Sequence, residues 1–338
     1  MSHLSIIRPI IRTAGLLLTV AIIPPLTAAA SPVATQQAPL QATVVQPVSQ
    51  GADIHRLKIG DVPVTALSDG SVPIDLHSLL KRTTPAKIDA LLARAFQTTP
   101  TEASINAFLI ELPGHLVLVD TGVGEMFGPG LGGKLPESLS RAGFTPDQIT
   151  DILITHAHSD HAGGLVHQGQ RVFPNATVHV GKADLDFFFD RGNAARTHYD
   201  IHYFDVAATA LKPYLDAGKV KPIAADGEVL PGITATLHAG HTPGSAFFTL
   251  TSRGQALVFV GDIVHSAAVQ FPEPATTIAF DQDEDRAAAV RAQAFRRFTE
   301  GGTLIAVPHM PFPGIGHVRA DGAGYAWVPV DYVNRAGN

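Results

Sequence analysis

Cysteine is missing from all 338 residues. Its absence excludes disulfides and thiolate metal sites, so any bound metal must rely on histidine nitrogens and carboxylate oxygens. There is also no thiol to carry a lipid. Charge is sparse, with 24 basic and 30 acidic residues and a formal net charge of −6, so the chain offers no basic footprint for nucleic acid or an acidic membrane surface. No short-period repeat is present. What the sequence does have is 45% hydrophobic content against 16% charged, enough apolar side chain for a large globular core.

The first fifty residues differ in character from the rest. Arg8 and Arg12 precede the apolar run 14–23, and Ala28-Ala29-Ala30 follows. That layout predicts a secretory signal peptide over 1–30, with the mature chain starting near Ser31 in the periplasm or outside the cell. The run is short for a bilayer span, so no stable membrane anchor is expected after cleavage, an uncleaved anchor being the alternative. Residues 31–50 carry no charge, three prolines and five glutamines and predict a flexible leader. The folded domain is expected over 51–338.

The densest chemistry lies in Thr155-His156-Ala157-His158-Ser159-Asp160-His161, which follows the apolar run Ile152-Leu153-Ile154 and leads into Ala162-Gly163-Gly164. An apolar run closing on histidines and an aspartate predicts a buried strand that delivers ligands at its carboxyl end. His156 and His158 can project to one side and Asp160 and His161 to another, so two metal ions can share the loop. Open N/O sites of this kind suit catalysis.

The same layout recurs along the chain. Ile233–Leu237 predicts a strand running into His238-Ala239-Gly240-His241-Thr242-Pro243-Gly244. Gln255–Val260 predicts another ending at Gly261-Asp262, and Leu304–Val307 runs to Pro308-His309. Earlier, His55–Ile59 and Val62–Leu67 predict a hairpin around Gly60-Asp61, and Ile105–Leu112 with His115–Val119 a second around Pro113-Gly114. Thr84-Pro85 starts a helix with Ile88, Leu91, Leu92, Ala95 and Phe96 on one buried face. Asp281–Glu300 predicts a scaffold helix capped by Asp281. Residues 181–217 are rich in aromatics, Tyr203 and Phe204 among them, and predict a cap over the site. His198 and His202 are expected to stay outside the ligand set.

The H-x-H-x-D-H run, the Gly-His-Thr-Pro-Gly run, Gly261-Asp262 and Asp120-Thr121-Gly122 resemble the metallo-β-lactamase-fold hydrolases. Segments such as 64–70, 267–271 and 312–317 are most similar to the methyl parathion hydrolase and lactonase group. The resemblance implies an α/β fold, an αββα sandwich with the metal site at one edge of its two sheets. It implies two Zn2+ per chain, or other divalent ions: His156, His158 and His241 hold one, Asp160, His161 and His309 the other, and Asp262 bridges. Asp120 would orient a ligand histidine from behind, while His317 stays structural. Asp160 would also be the catalytic proton carrier, with a water between the ions ionising near neutral pH. Phe188 falls where the group has a pocket tryptophan and Phe127 matches a second pocket aromatic, so Phe127, Phe188, Tyr203 and Phe204 are expected to line a pocket for a small apolar substrate.

The function so implied is an exported dinuclear zinc hydrolase of lactones, aryl esters or organophosphate triesters, as a homodimer. A β-lactamase or thioester hydrolase of the same fold is the first alternative, and Asp262 argues against the β-lactamase, since dizinc β-lactamases of this fold generally lack a carboxylate there. A periplasmic zinc-binding protein without turnover is the second.

Overall fold

The computed structural model describes residues 52–334. The signal peptide expected over 1–30 and the leader expected over 31–50 lie outside them. Two seven-stranded sheets carry the fold, and in each the spatial order of strands follows the chain.

The first sheet begins with the expected hairpin, β1 (Ile54–Ile59) and β2 (Val62–Ile74), which turns at Gly60 with φ 56°. After helix α1 (Pro85–Arg94), β3 (Thr101–Leu112) pairs antiparallel with β2 and with β4 (His115–Val119). Helix α2 (Leu135–Ala142) then returns the chain, so that β5 (Asp151–Ile154) runs parallel to β4, as a crossover requires. The strand β6 (Thr177–Gly181) follows in parallel. Helices α3 (Lys182–Phe188) and α4 (Ile201–Asp216) lead to β7 (Val220–Ile223), parallel to β6.

The second sheet is a meander of β8 (Gly227–Leu230), β9 (Ile233–Leu237), β10 (Ala246–Ser252) and β11 (Gln255–Phe259). Helix α5 (Glu284–Gly301) crosses over to a parallel β12 (Leu304–Ala306). Antiparallel β13 (Ile315–Asp321) and β14 (Gly324–Pro329) close it.

Three apolar layers explain the stacking. Between the sheets, Val64, Phe108, Val117 and Leu153 pack with Ile233, Phe248, Leu257 and Phe259, and the rings of Phe108 and Phe259 lie 5.4 Å apart. On the outer face of the first sheet, Leu118, Ile152 and Val178 meet Leu139 of α2 and Phe204 and Leu211 of α4. Phe247, Val258 and Ile305 of the second sheet meet Phe295 and Phe298 of α5. Apolar residues on both faces of each sheet require a helical layer on both outsides, which is the αββα sandwich that the family resemblance implies.

Two helix boundaries differ from expectation. α1 buries Ile88, Leu91 and Leu92 but stops at Arg94; Phe96 turns out with φ 56° and is 98% exposed, and Ala95 is exposed too. α5 starts at Glu284 with Asp283 as its cap, whose Oδ1 accepts from Arg286 N at 3.0 Å. Asp281 is not its cap, because a histidine draws that carboxylate into the interior.

A candidate metal centre at the sheet edge

Parallel pairing of β4 with β5 and of β11 with β12 brings strand ends from both sheets to one edge. Asp120 follows β4, the 155–161 loop follows β5, His241 lies beyond β9, Asp262 beyond β11 and His309 beyond β12. All seven residues expected as ligands converge there. His156, His158, His241 and Asp262 form one group and Asp160, His161 and His309 a second, with donor atoms within 4.8 Å of one another in each.

The fit to cations rests on donor spacing and on orphaned atoms. Nδ1 of His158 lies 3.1 Å from Nε2 of His156 and 3.1 Å from Nε2 of His241. Asp262 Oδ2 is 3.5 Å from His156 Nε2 and 3.3 Å from His241 Nε2. Donors about 2.0–2.1 Å from a tetrahedral centre stand ~3.3 Å apart, so four donors at these separations frame one ion. On the other side, Asp262 Oδ1 is 3.2 Å from His161 Nε2 and 3.1 Å from His309 Nε2. His161 Nε2 and Asp262 Oδ1 are both buried without a hydrogen-bond partner. Interiors rarely tolerate such atoms, and a shared cation satisfies both.

Each histidine is fixed by its other nitrogen, as ligand imidazoles generally are. His161 Nδ1 pairs with Asp120 Oδ2 at 2.8 Å, and Asp120 is itself held by Thr155 N and Thr155 Oγ1, both at 2.8 Å. His241 Nδ1 lies 2.8 Å from Asp281 Oδ1, His309 Nδ1 2.9 Å from the Ser104 carbonyl, and His158 Nε2 2.8 Å from the Tyr199 hydroxyl. His156 Nδ1 is 3.2 Å from Thr155 Oγ1. The carboxylate of Asp184, fully buried on α3, ties the two halves of the first group together. It accepts from Ala157 N at 2.9 Å, Thr242 Oγ1 at 3.0 Å and Gly244 N at 2.6 Å. A Cβ on Gly244 would come within 2.5 Å of Asp184 N, so only glycine permits this approach.

The field of the cluster demands positive charge. Burial holds the His156 and His158 imidazoles well below their ordinary range and therefore neutral, with lone pairs free to ligate. Burial acts against charge on His161 too, yet Asp262, Asp160 and Asp120 raise it well above the usual histidine range. Burial would likewise raise Asp262, but His161, His309, His265 and His156 hold it well below the carboxylate range. A group of histidines competing to carry a proton beside one carboxylate is what a cation would relieve.

The expected pocket aromatics divide. Phe188 and Tyr203 both reach His158, with ring centroids 6.0 Å and 5.1 Å from it. Tyr203 is half-buried, whereas Phe188 is only 1% exposed. Phe204 is fully buried behind Phe187 and Phe188, so it backs the wall and does not line it. Phe127 is half-buried on a glycine-rich loop, and among the described residues no aromatic ring is in ring contact with it. Glu125, on the same loop, accepts from Gln168 N of a small hairpin at 2.8 Å. His198 and His202 are exposed and outside the cluster, and His317 Nδ1 bonds the Thr303 carbonyl at 3.2 Å, as expected.

Three residues escaped the sequence reading. Asp281 reads in sequence as a helix cap and Tyr199 as one of the aromatics of 181–217, whereas both contact ligand histidines. His265 is buried, its Nδ1 without a hydrogen-bond partner, its Nε2 3.1 Å from Asp262 Oδ2 and its ring stacked on His309 at 4.9 Å. The available signal was its place three residues after Asp262, on a segment whose His265 and Ser266 amides are held by Gln270 Oε1.

Comparison with known proteins matches the metallo-beta-lactamase superfamily model over residues 100–319. An N-acyl homoserine lactonase of Bacillus thuringiensis is 29% identical over 175 residues, covering 45% of this chain and 61% of that protein. The chain thus spans about three fifths of the lactonase's length. Among solved structures, hydrolase AbOPH of the beta lactamase superfamily is 34% identical, with a TM-score of 0.79 over 85% of this chain and 100% of that one. AidC, a dizinc quorum-quenching lactonase solved with its product N-hexnoyl-L-homoserine, is 28% identical, with a TM-score of 0.75 over 83% of this chain and 98% of its own.

Proposed function

The chain belongs to the metallo-β-lactamase superfamily, and from that premise we propose that this metal-dependent hydrolase is an exported dinuclear zinc enzyme cleaving lactones and aryl esters, with phosphotriesters as weaker substrates. The observation that carries the reading is the pairing of two ligand groups across one carboxylate, Asp262, each group completed by histidines. The dizinc lactonase AidC, similar over 83% of this chain, supports the same assignment.

His156, His158 and His241 would hold one divalent ion and Asp160, His161 and His309 another, with Asp262 facing both groups, and the ions would supply water activation near neutral pH and Lewis-acid polarisation of the substrate's carbonyl. The protein's own part is orientation. His156, His158 and His241 stay neutral or carboxylate-paired and hold one side, while His161 and His309 hold the other. Asp160 has 18% of its side chain exposed, unlike the nearly closed ligands around it. With Oδ2 3.5 Å from His309 Nε2, its carboxylate would take up the proton released by the attacking water and pass it to the leaving alkoxide. Tyr203, whose phenol burial pushes up to about 12, stays protonated there and offers an apolar face with a polar tip.

Elemental analysis together with kcat/KM for an N-acyl homoserine lactone, dihydrocoumarin, phenyl acetate and methyl parathion tests the proposal. Two zinc ions per chain and a lactone or aryl ester as best substrate are expected. Methyl parathion as best substrate overturns the substrate class, and zinc bound without turnover favours the storage alternative. For export, mass spectrometry of periplasmic protein is expected to show Ser31 at the N-terminus, and an intact Met1 would refute it.

A further inference from the structure

The helical layer behind the second sheet contains a charged side chain that none of the expected ligand chemistry uses. Arg291 of α5 is completely buried. Its Nε donates to the Ile263 carbonyl, and its Nη1 donates to Pro274 O at 3.1 Å and Thr276 O at 2.7 Å. Its Nη2 has no hydrogen-bond partner and lies 3.8 Å from Asp281 Oδ2. The other oxygen of Asp281 receives His241 Nδ1 at 2.8 Å.

We propose that Arg291 is a positioning residue: it faces Asp281 directly and through three carbonyls holds the segment that carries it, and so sets the orientation of His241 and tunes the first metal group selectively.

The physical argument has two parts. Burying a guanidinium is costly unless its donors are used, and an apolar side chain of similar length would fill the same helix position without that cost. All of its partners lie between Ile263 and Asp281, the segment joining the bridging ligand to the carboxylate on His241. That segment is further zipped to the His241 loop by Gln282 N to His241 O and Asp283 N to Gly240 O, both 2.9 Å. The second group has different supports: Asp120 for His161 and the Ser104 carbonyl for His309. Its anchors come from the first sheet, so loss of Arg291 leaves them in place.

The test uses the full chain as Arg291→Met, Arg291→Lys and Asp281→Asn, and the Arg291→Met/Asp281→Asn double variant. Zinc release to a colorimetric chelator is followed for each. One ion is expected to weaken by about 10–100-fold in Arg291→Met, with the other unchanged and Arg291→Lys in between. In the Asp281→Asn background the added effect of Arg291→Met should shrink, since both act on His241. Equal weakening of both ions, or additive effects, overturns the proposal and leaves Arg291 a general stabiliser. The metal readout rests on the dinuclear reading, so a second readout separates the two. The downfield NMR signal of the His241 Nδ1 proton, bonded to Asp281, is expected to shift in Arg291→Met even in metal-free protein. If wild type fails to bind two ions, the dinuclear reading fails while this signal still judges Arg291, and an unmoved signal refutes it.

Discussion

The hydroxyl of Tyr199 stands between two partners, 2.8 Å from Nε2 of His158 and 2.8 Å from the carbonyl oxygen of Phe280. A carbonyl can only accept, so the phenol donates to Phe280 and accepts from His158. That assigns the proton of His158 to Nε2 and leaves Nδ1, the atom facing His156 and His241, free to ligate. Burial keeps the Tyr199 phenol well above its ordinary pKa, so it remains a donor at any working pH.

Tyr199→Phe should therefore keep the ring, which stacks on Tyr203 at 4.7 Å, and lose only the lock on the tautomer. Zinc affinity of the first group is expected to fall by about 10-fold or more, with little change in melting temperature of the zinc-saturated protein. Chelator competition at fixed pH measures it. An unchanged affinity would show that His158 needs no outside support.

Ligands were legible in the sequence because each sits a few residues past a β-branched or leucine-rich run, where chain direction alone decides that it reaches the strand's carboxyl end. Their supports were not, because they depend on contacts across long stretches of chain. Asp281 lies 40 residues from His241, and Tyr199 lies 41 from His158. Asp281 also imitates a cap, being followed closely by Asp283, Glu284 and Asp285 ahead of a helix. Only the tertiary pull of His241 separates it from Asp283. Asp120 was foreseen as a support because it too follows an apolar strand, β4. For Phe127, Phe188 and Phe204, aromatic content suggested a pocket, but sequence alone cannot assign a ring to the lining or the wall.

Asp262→Asn is the decisive change for the centre. It preserves the shape of a carboxylate that lies within 3.5 Å of all four of His156, His161, His241 and His309, while replacing one oxygen by an amide that cannot ligate. Zinc content is expected to drop below two per chain, and kcat/KM for the best lactone to fall on the order of 100-fold or more. Elemental analysis with kinetics decides it. A variant with two tightly held ions and normal turnover would remove Asp262 from the bridge.

Phe188→Ala should act first on stability. The ring is 1% exposed and packs on Phe187 and Phe204, with centroids at 5.0 Å and 5.4 Å. Truncating a buried phenylalanine costs about 3–5 kcal/mol. Urea denaturation is expected to show a loss of that size. A loss below about 1 kcal/mol joined to a large change in KM would restore Phe188 to the pocket lining.

At the opposite end of β5, Asp151 is 5% exposed and held between two histidines, His115 Nδ1 at 2.8 Å and His179 Nε2 at 2.9 Å, with Thr150 Oγ1 donating at 2.9 Å. Burial alone would raise its pKa, but His179, His115 and Thr150 outweigh burial and hold it well below the usual carboxylate range. When the folded pKa is the lower one, the unfolded chain takes up the proton first as pH falls. The stabilisation is therefore complete above the unfolded value of about 3.9 and is lost as pH drops through the folded value. Asp151→Asn removes this proton linkage while keeping the side chain's size. At neutral pH it should cost about 1–3 kcal/mol for the lost charged hydrogen bonds, with zinc content intact, since the ligands lie at the other end of the strand. Melting temperatures between pH 6 and pH 2 give the test: the wild-type curve should descend more steeply than that of Asp151→Asn below pH ~4, so that the two converge. Parallel curves over that range would mean that Asp151 contributes no acid sensitivity and that its histidine contacts add nothing beyond packing.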